Sequence, residues 1–270
     1  MDFFQQVVLG IAQGITEWIP ISSEGVIIFL ISNFFSSSID VELFIRQALF
    51  LHLGTFFAAL IYFRKEVKEL LKGALKYNRT DPETRKTLRF LFIATLTSGI
   101  VGLAIINFLD LVNINELPLT SSSVNFLVGF LLLITGFVQL KVRDGGYKRQ
   151  FQLTDADSLI LGLLQGVSAL PGLSRSGLTV SGFLFRKFDE TVALRLSFLM
   201  SLPIVLIGNV LLNFDIAFIK DMFFGCLLAF FFGLMTIHIL MKFSEKVKFG
   251  HFAIMFGLLA IIAGFVNLYY

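Results

Sequence analysis

Two apolar stretches of this chain are each interrupted at their middle by proline, glycine, serine and charge: WIPISSEG within residues 3–35 and ALPGLSRSG within residues 158–186. Around them lie six unbroken apolar runs of about 20 residues, at roughly 43–63, 88–109, 123–141, 191–212, 221–241 and 250–269, each long enough to cross a bilayer as a helix. The interrupted stretches leave halves too short to cross. They read as re-entrant helix-loop-helix hairpins. Backbone that leaves helix at membrane depth must be shielded by protein or line a watery cavity, so each hairpin tip is expected to point at a polar site inside the bundle.

The composition permits little else. With 56% hydrophobic residues, 33 Phe and a mean hydropathy of +0.84, the chain exceeds what a soluble core requires. An integral membrane protein is expected, with the membrane as its first partner. The net charge of +3 is gathered in particular loops, and nucleic acid is not expected. The lone Cys226 excludes an intramolecular disulfide. No basic n-region with a small-residue cleavage site opens the chain, so no removable signal peptide is expected.

Lys and Arg concentrate in short cytoplasmic loops of membrane proteins. Here the loop 64–87 carries eight, 141–157 four and 242–248 three, whereas 110–122 has none and 213–220 only Lys220. With the basic loops inside, the first hairpin enters from the outer side, the second from the cytoplasm, and the C-terminus lies outside. A repeat accompanies this topology. LGIAQGITEWIPISSEG (9–25) aligns with LGLLQGVSALPGLSRSG (161–177). The expected architecture is therefore an all-α polytopic membrane protein, one domain over 1–270. It is built from two inverted-topology repeats, about 1–141 and 151–270, each a re-entrant hairpin plus three transmembrane helices. Such repeats gather their site near the midplane, where the two breaks face one another.

That arrangement brings Glu17, Ser22, Ser23 and Glu24 toward Ser174, Arg175, Ser176 and Thr179. An Arg near mid-membrane costs about 2.5–3.5 kcal/mol on insertion scales and needs a partner. The neighbouring acids supply one. The Arg175 fork, the serine hydroxyls and the free N–H groups at helix starts match a phosphate or diphosphate. Glu17 and Glu24 would repel that anion unless protonated, paired with Arg175 or bridged by a divalent cation. Gln13 and Glu17, four apart, share one helix face. A ligand with an anionic head and a long tail can enter sideways from the lipid.

At these residues the chain resembles the undecaprenyl-diphosphate phosphatases, the bacitracin-resistance membrane phosphatase family, over essentially its whole length. The first family motif, an acidic residue or Gln, then Glu four later, then PxSSxGH, is similar to Gln13, Glu17, Pro20, Ser22, Ser23 and Gly25. The second, PGxSRSGxT, matches Pro171, Gly172, Ser174, Arg175, Ser176, Gly177 and Thr179; HLGT at 52–55 and RLSFLMSLP are similar too. The resemblance implies hydrolysis of a C55 polyprenyl diphosphate to its monophosphate and inorganic phosphate, recycling the lipid carrier for envelope glycans. It also implies an inverted-repeat fold in the cell membrane, a site open to the outer side, and activity aided by a divalent cation such as Mg2+ or Ca2+.

One position departs from the pattern: Val26 stands where the family motif ends in histidine, and Glu24 where Thr or Ser is usual. The expected catalytic set is Ser23 as nucleophile or positioning hydroxyl, Arg175 as phosphate clamp, and Glu17 as base or, with Gln13, metal ligand. Gln13, Ser22, Glu24, Ser174, Ser176, Thr179 and His52 are expected to bind substrate. Two of these have a second reading: Ser22 as a helix cap, and His52 as a packing histidine rather than the substitute for the missing one. A relative without the histidine can also be a translocase of polyprenyl phosphate or another anionic lipid, and both functions stay open at this point. Other expectations are a homodimer, interfacial His238 and His251, and Arg46 snorkelling or pairing with Asp40 or Glu42.

Overall fold

The computed structural model describes residues 3–35, 41–111, 120–141, 146–170, 172–212, 216–243 and 249–269. Among them the α-helices are α1 (Phe3–Thr16), α2 (Ser23–Leu30), α3 (Val41–Tyr62), α4 (Arg64–Leu75), α5 (Pro82–Leu111), α6 (Ser121–Lys141), α7 (Asp155–Val167), α8 (Arg175–Phe185), α9 (Glu190–Leu212), α10 (Ile216–Phe243) and α11 (Phe249–Tyr269). Pro171, Asp40 and residues 112–119, 213–215 and 244–248 of the three loops lie outside the described residues.

Each of the six expected spans is a helix. Five, α5, α6, α9, α10 and α11, are long and apolar enough to cross a membrane, and α3 makes a sixth when taken with α4, which it joins across an 85° bend. The chain is a multi-pass membrane protein. Its outward faces are correspondingly apolar, with Phe92, Phe108, Phe130, Phe223, Phe231 and Phe265 exposed. Both interrupted stretches are hairpins of two short helices. The arms α1 and α2 have 14 and 8 residues and α7 and α8 have 13 and 11, while spanning about 30 Å takes about 20.

The loop 64–87 does not stay a loop. Its first half is the amphipathic helix α4, and α5 begins at Pro82. That start follows from Asp81-Pro82-Glu83: the Asp81 carboxylate accepts from Thr84 N at 2.9 Å, proline loses nothing at a first helical position, and Glu83 suits the first turn.

The repeated LGxxQG motif has a packing function. Gly10 and Gly14 of α1 lie against α10, where an added Cβ would stand 2.4 Å from Gly225 O and 2.8 Å from Ala229 O. Gly162 and Gly166 of α7 do the same against α5, at 2.7 Å from Ala94 O and 3.0 Å from Ser98 O. Small residues four apart let helix backbones touch where lipid offers no hydrophobic drive to associate. The first arm of each hairpin is thus clamped to a span of the other half of the chain.

At the second break Gly172 has φ +103°, a conformation that costs only glycine nothing, and a Cβ there would crowd Leu131 and Val128. At the first, Trp18 is fully buried, edge-on to Phe198 of α9 with ring centroids 4.8 Å apart. Both tips are therefore held by the spans around them.

Replacing Gly14 or Gly166 with Leu is expected to force the arm off its span, lowering stability by about 1–3 kcal/mol or more. A fall in the melting temperature of the detergent-solubilised protein checks this. Gly208→Ala, where the nearest atom stands 3.4 Å from the added Cβ, is expected to leave it unchanged.

Candidate active site

The two breaks end in the same device. Ser22 is the N-cap of α2 and accepts from Gly25 N at 3.0 Å; Ser174 is the N-cap of α8 and accepts from Gly177 N at 3.0 Å. Their backbone angles agree within a few degrees, φ −70° and ψ 109° against φ −71° and ψ 112°. Each cap satisfies one N–H of a helix start and leaves others in the first turn without an intrahelical partner. Both starts open on one small cavity, lined by Glu17, Ser22, Ser23, Glu24, His52, Ser168, Ser174, Arg175 and Ser176, with Ile21 and Leu173 as its apolar wall.

The Glu17 carboxylate stands at the centre and is almost wholly buried. One oxygen, Oε1, takes the Arg175 Nη2 donor from across the bundle. The other, Oε2, accepts from Ser23 Oγ at 2.8 Å and Gln13 Nε2 at 2.9 Å, and faces His52 Nε2 at 3.0 Å. Four separate segments, α1, α2, α3 and α8, thus meet on one side chain.

Hydrogen-bond logic places a proton at this carboxylate. His52 Nδ1 lies 2.6 Å from Ala48 O, and since a carbonyl only accepts, that nitrogen carries a hydrogen. A further proton therefore lies between His52 Nε2 and Glu17 Oε2. Both readings of His52 hold at once: it is tied to the helix backbone and it belongs to the polar cluster.

Three buried atoms at this cluster have no hydrogen-bond partner, Arg175 Nη1, Gln13 Oε1 and Trp18 Nε1. A guanidinium N–H buried without an acceptor is costly, and beyond its pair with Glu17 the Arg175 guanidinium meets the face of Trp18, 5.9 Å from its central carbon. Ser176 Oγ donates to Glu17 O and Ile19 O, both at 3.3 Å, pinning the first break to the second. The cavity left between these groups measures about 20 Å³, room for roughly one water.

Of the residues expected from sequence, Glu17, Ser22, Ser23, Glu24, His52, Ser174, Arg175 and Ser176 line the cavity, and Gln13 touches it through Glu17. Thr179 stands one turn deeper. Its Oγ1 bonds Arg175 O at 2.8 Å and Ser197 Oγ at 2.6 Å, so it braces α8 against α9 and does not line the cavity. Two residues that sequence reasoning misses are Ser168, the lining residue that aligns with Thr16 in the repeat, and Trp18. The repeat itself is the available signal for the former. Val26 is buried in α2 and is not among the lining residues.

Residues 6–262 match the family described as Bacitracin resistance protein BacA. Among curated proteins, the chain is similar to the undecaprenyl-diphosphatase of Methanococcoides burtonii at 39% identity, covering 98% of this chain and 100% of the relative. Proteins of the same name from Haloarcula marismortui and Saccharolobus solfataricus are 34% and 32% identical, over 96% and 97% of this chain and 96% and 95% of theirs.

Removing the carboxylate is expected to leave Arg175 and His52 buried without a counter-charge. Glu17→Ala should lower stability by about 3–5 kcal/mol, and Glu17→Ala combined with Arg175→Met should restore part of it. Thermal unfolding of the four members of this double-mutant cycle checks the coupling.

Proposed function

Because the chain belongs to the bacitracin resistance protein BacA family, we propose that it is a membrane phosphatase. Its substrate is a polyprenyl diphosphate of the undecaprenyl kind, hydrolysed to the monophosphate and inorganic phosphate, which returns the lipid carrier to envelope glycan synthesis. The observation that carries this reading is the buried Arg175 guanidinium, with Nη1 unpartnered, beside two capped helix starts and their serines in a single cavity. That set is a receptor for phosphoryl oxygens.

Arg175 is the clamp. The diphosphate draws Arg175 away from Glu17 and leaves that carboxylate free to act as base. Ser23 Oγ already donates to Glu17 at 2.8 Å, so the acceptor for its proton is in place. A water positioned by Ser23 attacks the terminal phosphorus, the bond to the bridging oxygen breaks, and polyprenyl monophosphate and inorganic phosphate leave. Where Ser23 itself attacks, the monophosphate leaves first and a second water, deprotonated by Glu17, cleaves the phosphoserine to free inorganic phosphate and restore the hydroxyl. With Val26 in place of the motif histidine, His52 holds the transferable proton at Nε2 and can pass it to the departing oxygen. Ser22, Ser174 and Ser176 with the N–H groups of α2 and α8 steady the phosphoryl oxygens, and Thr179 keeps α8 in place from behind.

A divalent cation would be held by the Glu17 carboxylate together with Gln13 Oε1, an acceptor without a partner, once the Gln13 amide turns that oxygen toward Glu17. Two protein oxygens plus substrate phosphates is a common way to hold Mg2+, and the ion would neutralise charge on the phosphoryl oxygens. Among the described residues no group of three His, Cys, Asp or Glu is assembled for a metal, so that ion would depend on the substrate for its remaining ligands.

The matching caps and matching glycine contacts of the two hairpins support the inverted-repeat reading. The basic ends of the spans support a cell-membrane topology with the C-terminus outside. Phosphate release by the purified protein from a polyprenyl diphosphate tests the function. Absence of turnover across chain lengths and cations, by protein that still binds the lipid, would sink it in favour of lipid translocation.

Ser23→Ala, Arg175→Ala and His52→Ala are each expected to lower phosphate release by about 10²–10⁴-fold. An unchanged elution profile in detergent would separate loss of chemistry from loss of fold. Full activity in His52→Ala would remove His52 from the reaction and leave it as the packing histidine.

A further inference from the structure

Helix α4 belongs to neither hairpin nor span. It leaves α3 at the 85° bend beside the buried Phe63, so with α3 across the membrane α4 lies along its face. One side of it is packed: Val67 and Leu70 join the cluster around Phe63 and Phe198, and Gly73 fits against Thr84 and Thr80. The other side is free. Leu71 and Leu75, one turn apart, are 63% and 87% exposed, and Lys68 and Lys72 form a parallel row beside them.

The charge on this side is predominantly positive, with Glu69 as the exposed acid among the basic residues. Residues 64–79 hold Arg64, Lys65, Lys68, Lys72, Lys76 and Arg79 against Glu66 and Glu69, and Glu66 faces inward to Arg195 at 3.6 Å. Among the described residues none of Lys68, Lys72, Lys76 and Arg79 forms an ion pair.

The helix runs into a built concavity. A shallow cavity of about 430 Å³ is lined by Ala74, Leu75, Lys76, Tyr77, Asn78 and Arg79. Arg85 of α5 holds its wall: Nη2 donates to Asn78 O at 3.3 Å and Thr80 O at 3.0 Å, and the guanidinium lies 5.6 Å from the Tyr77 ring centre. Leucine and tyrosine surfaces stand beside two cations, which is the chemistry of a phospholipid at its phosphate and first methylenes.

We propose that α4 and the turn 76–79 form a docking surface for anionic phospholipids of the adjoining leaflet. Leu71 and Leu75 enter the acyl boundary. Lys68, Lys72, Lys76 and Arg79 meet the headgroup phosphates, with the concavity seating one headgroup. The inference rests on the membrane fold and not on the hydrolase reading, so either can fail without the other.

The test uses the whole protein with Leu75→Cys in a Cys226→Ala background, labelled at residue 75 with an environment-sensitive fluorophore and placed in phosphatidylcholine nanodiscs doped with spin-labelled lipid. Quenching by spin-labelled phosphatidylglycerol is expected to exceed that by spin-labelled phosphatidylcholine roughly twofold or more at equal mole fraction, and to lose that excess at high salt. The quadruple variant K68Q/K72Q/K76Q/R79Q should quench equally with both lipids while keeping its elution profile and its phosphate release. Equal quenching by the two lipids in the unsubstituted helix would overturn the proposal. So would an excess that survives the quadruple substitution, or a label that only aqueous iodide reaches. If the quadruple variant does not fold, the pairs K68Q/K72Q and K76Q/R79Q are read instead, each expected to lose part of the excess.

Discussion

A single buried carboxylate organises the centre of this protein. Glu17 would be untenable alone in a bilayer-embedded bundle, and Arg175 equally so. Each is the other's reason to be there. Their pairing draws the two hairpin tips together, and Ser23, Gln13 and His52 complete the shell from three further directions. What results is a polar chamber whose groups are nearly all satisfied by one another, at a depth where water cannot supply the missing bonds. Among the residues bonded to Glu17, Arg175 Nη1 and Gln13 Oε1 are the buried atoms left without a partner.

Such a chamber needs rigid walls, because interrupted helices contribute little stiffness themselves. The walls come from glycine. Gly10 and Gly14 press α1 onto α10, and Gly162 and Gly166 press α7 onto α5, at separations no side chain would allow. Serine then caps the second arm of each hairpin, and Thr179 with Ser197 fixes α8 to α9. The motif residues therefore divide by task. Glycines set backbone distance, the capping serines set helix starts at the cavity itself, and the remainder supplies its charged groups and further hydroxyls.

Much of this is legible in the sequence. Runs of about 20 apolar residues are helices, and proline, glycine and serine at the middle of two others are hairpin tips. Hydropathy in a membrane protein reports burial in lipid over long windows, so these elements carry a strong signal. The encounter of Glu17, Ser23 and Arg175 also follows, because an intramembrane arginine demands an acid. Three features escape such reading. Helix α4 resembles a loop because its lysines and glutamates lower hydropathy, although Val67, Leu70, Leu71 and Leu75 keep helical spacing. Motif membership places Thr179 in the cavity, whereas the pitch of α8 carries it one turn away from the tip. The orientation of His52 depends on its register against Ala48 and Glu17, which no local pattern encodes.

The smallness of the central cavity has a consequence for traffic through it. With Arg175 closed on Glu17, about 20 Å³ remains, so a phosphoryl group gains entry only by taking over the place of an internal anion. A free ion in solution must do this from a dilute bath. A headgroup tethered to a hydrocarbon chain in the same leaflet competes at a far higher local concentration. The same exchange runs backward once the lipid departs, when the carboxylate reclaims its guanidinium and expels whatever small anion is left. Under the proposed function the protein thus carries its own competing ligand, and that resting contact would favour a lipid-borne phosphate over a dissolved one.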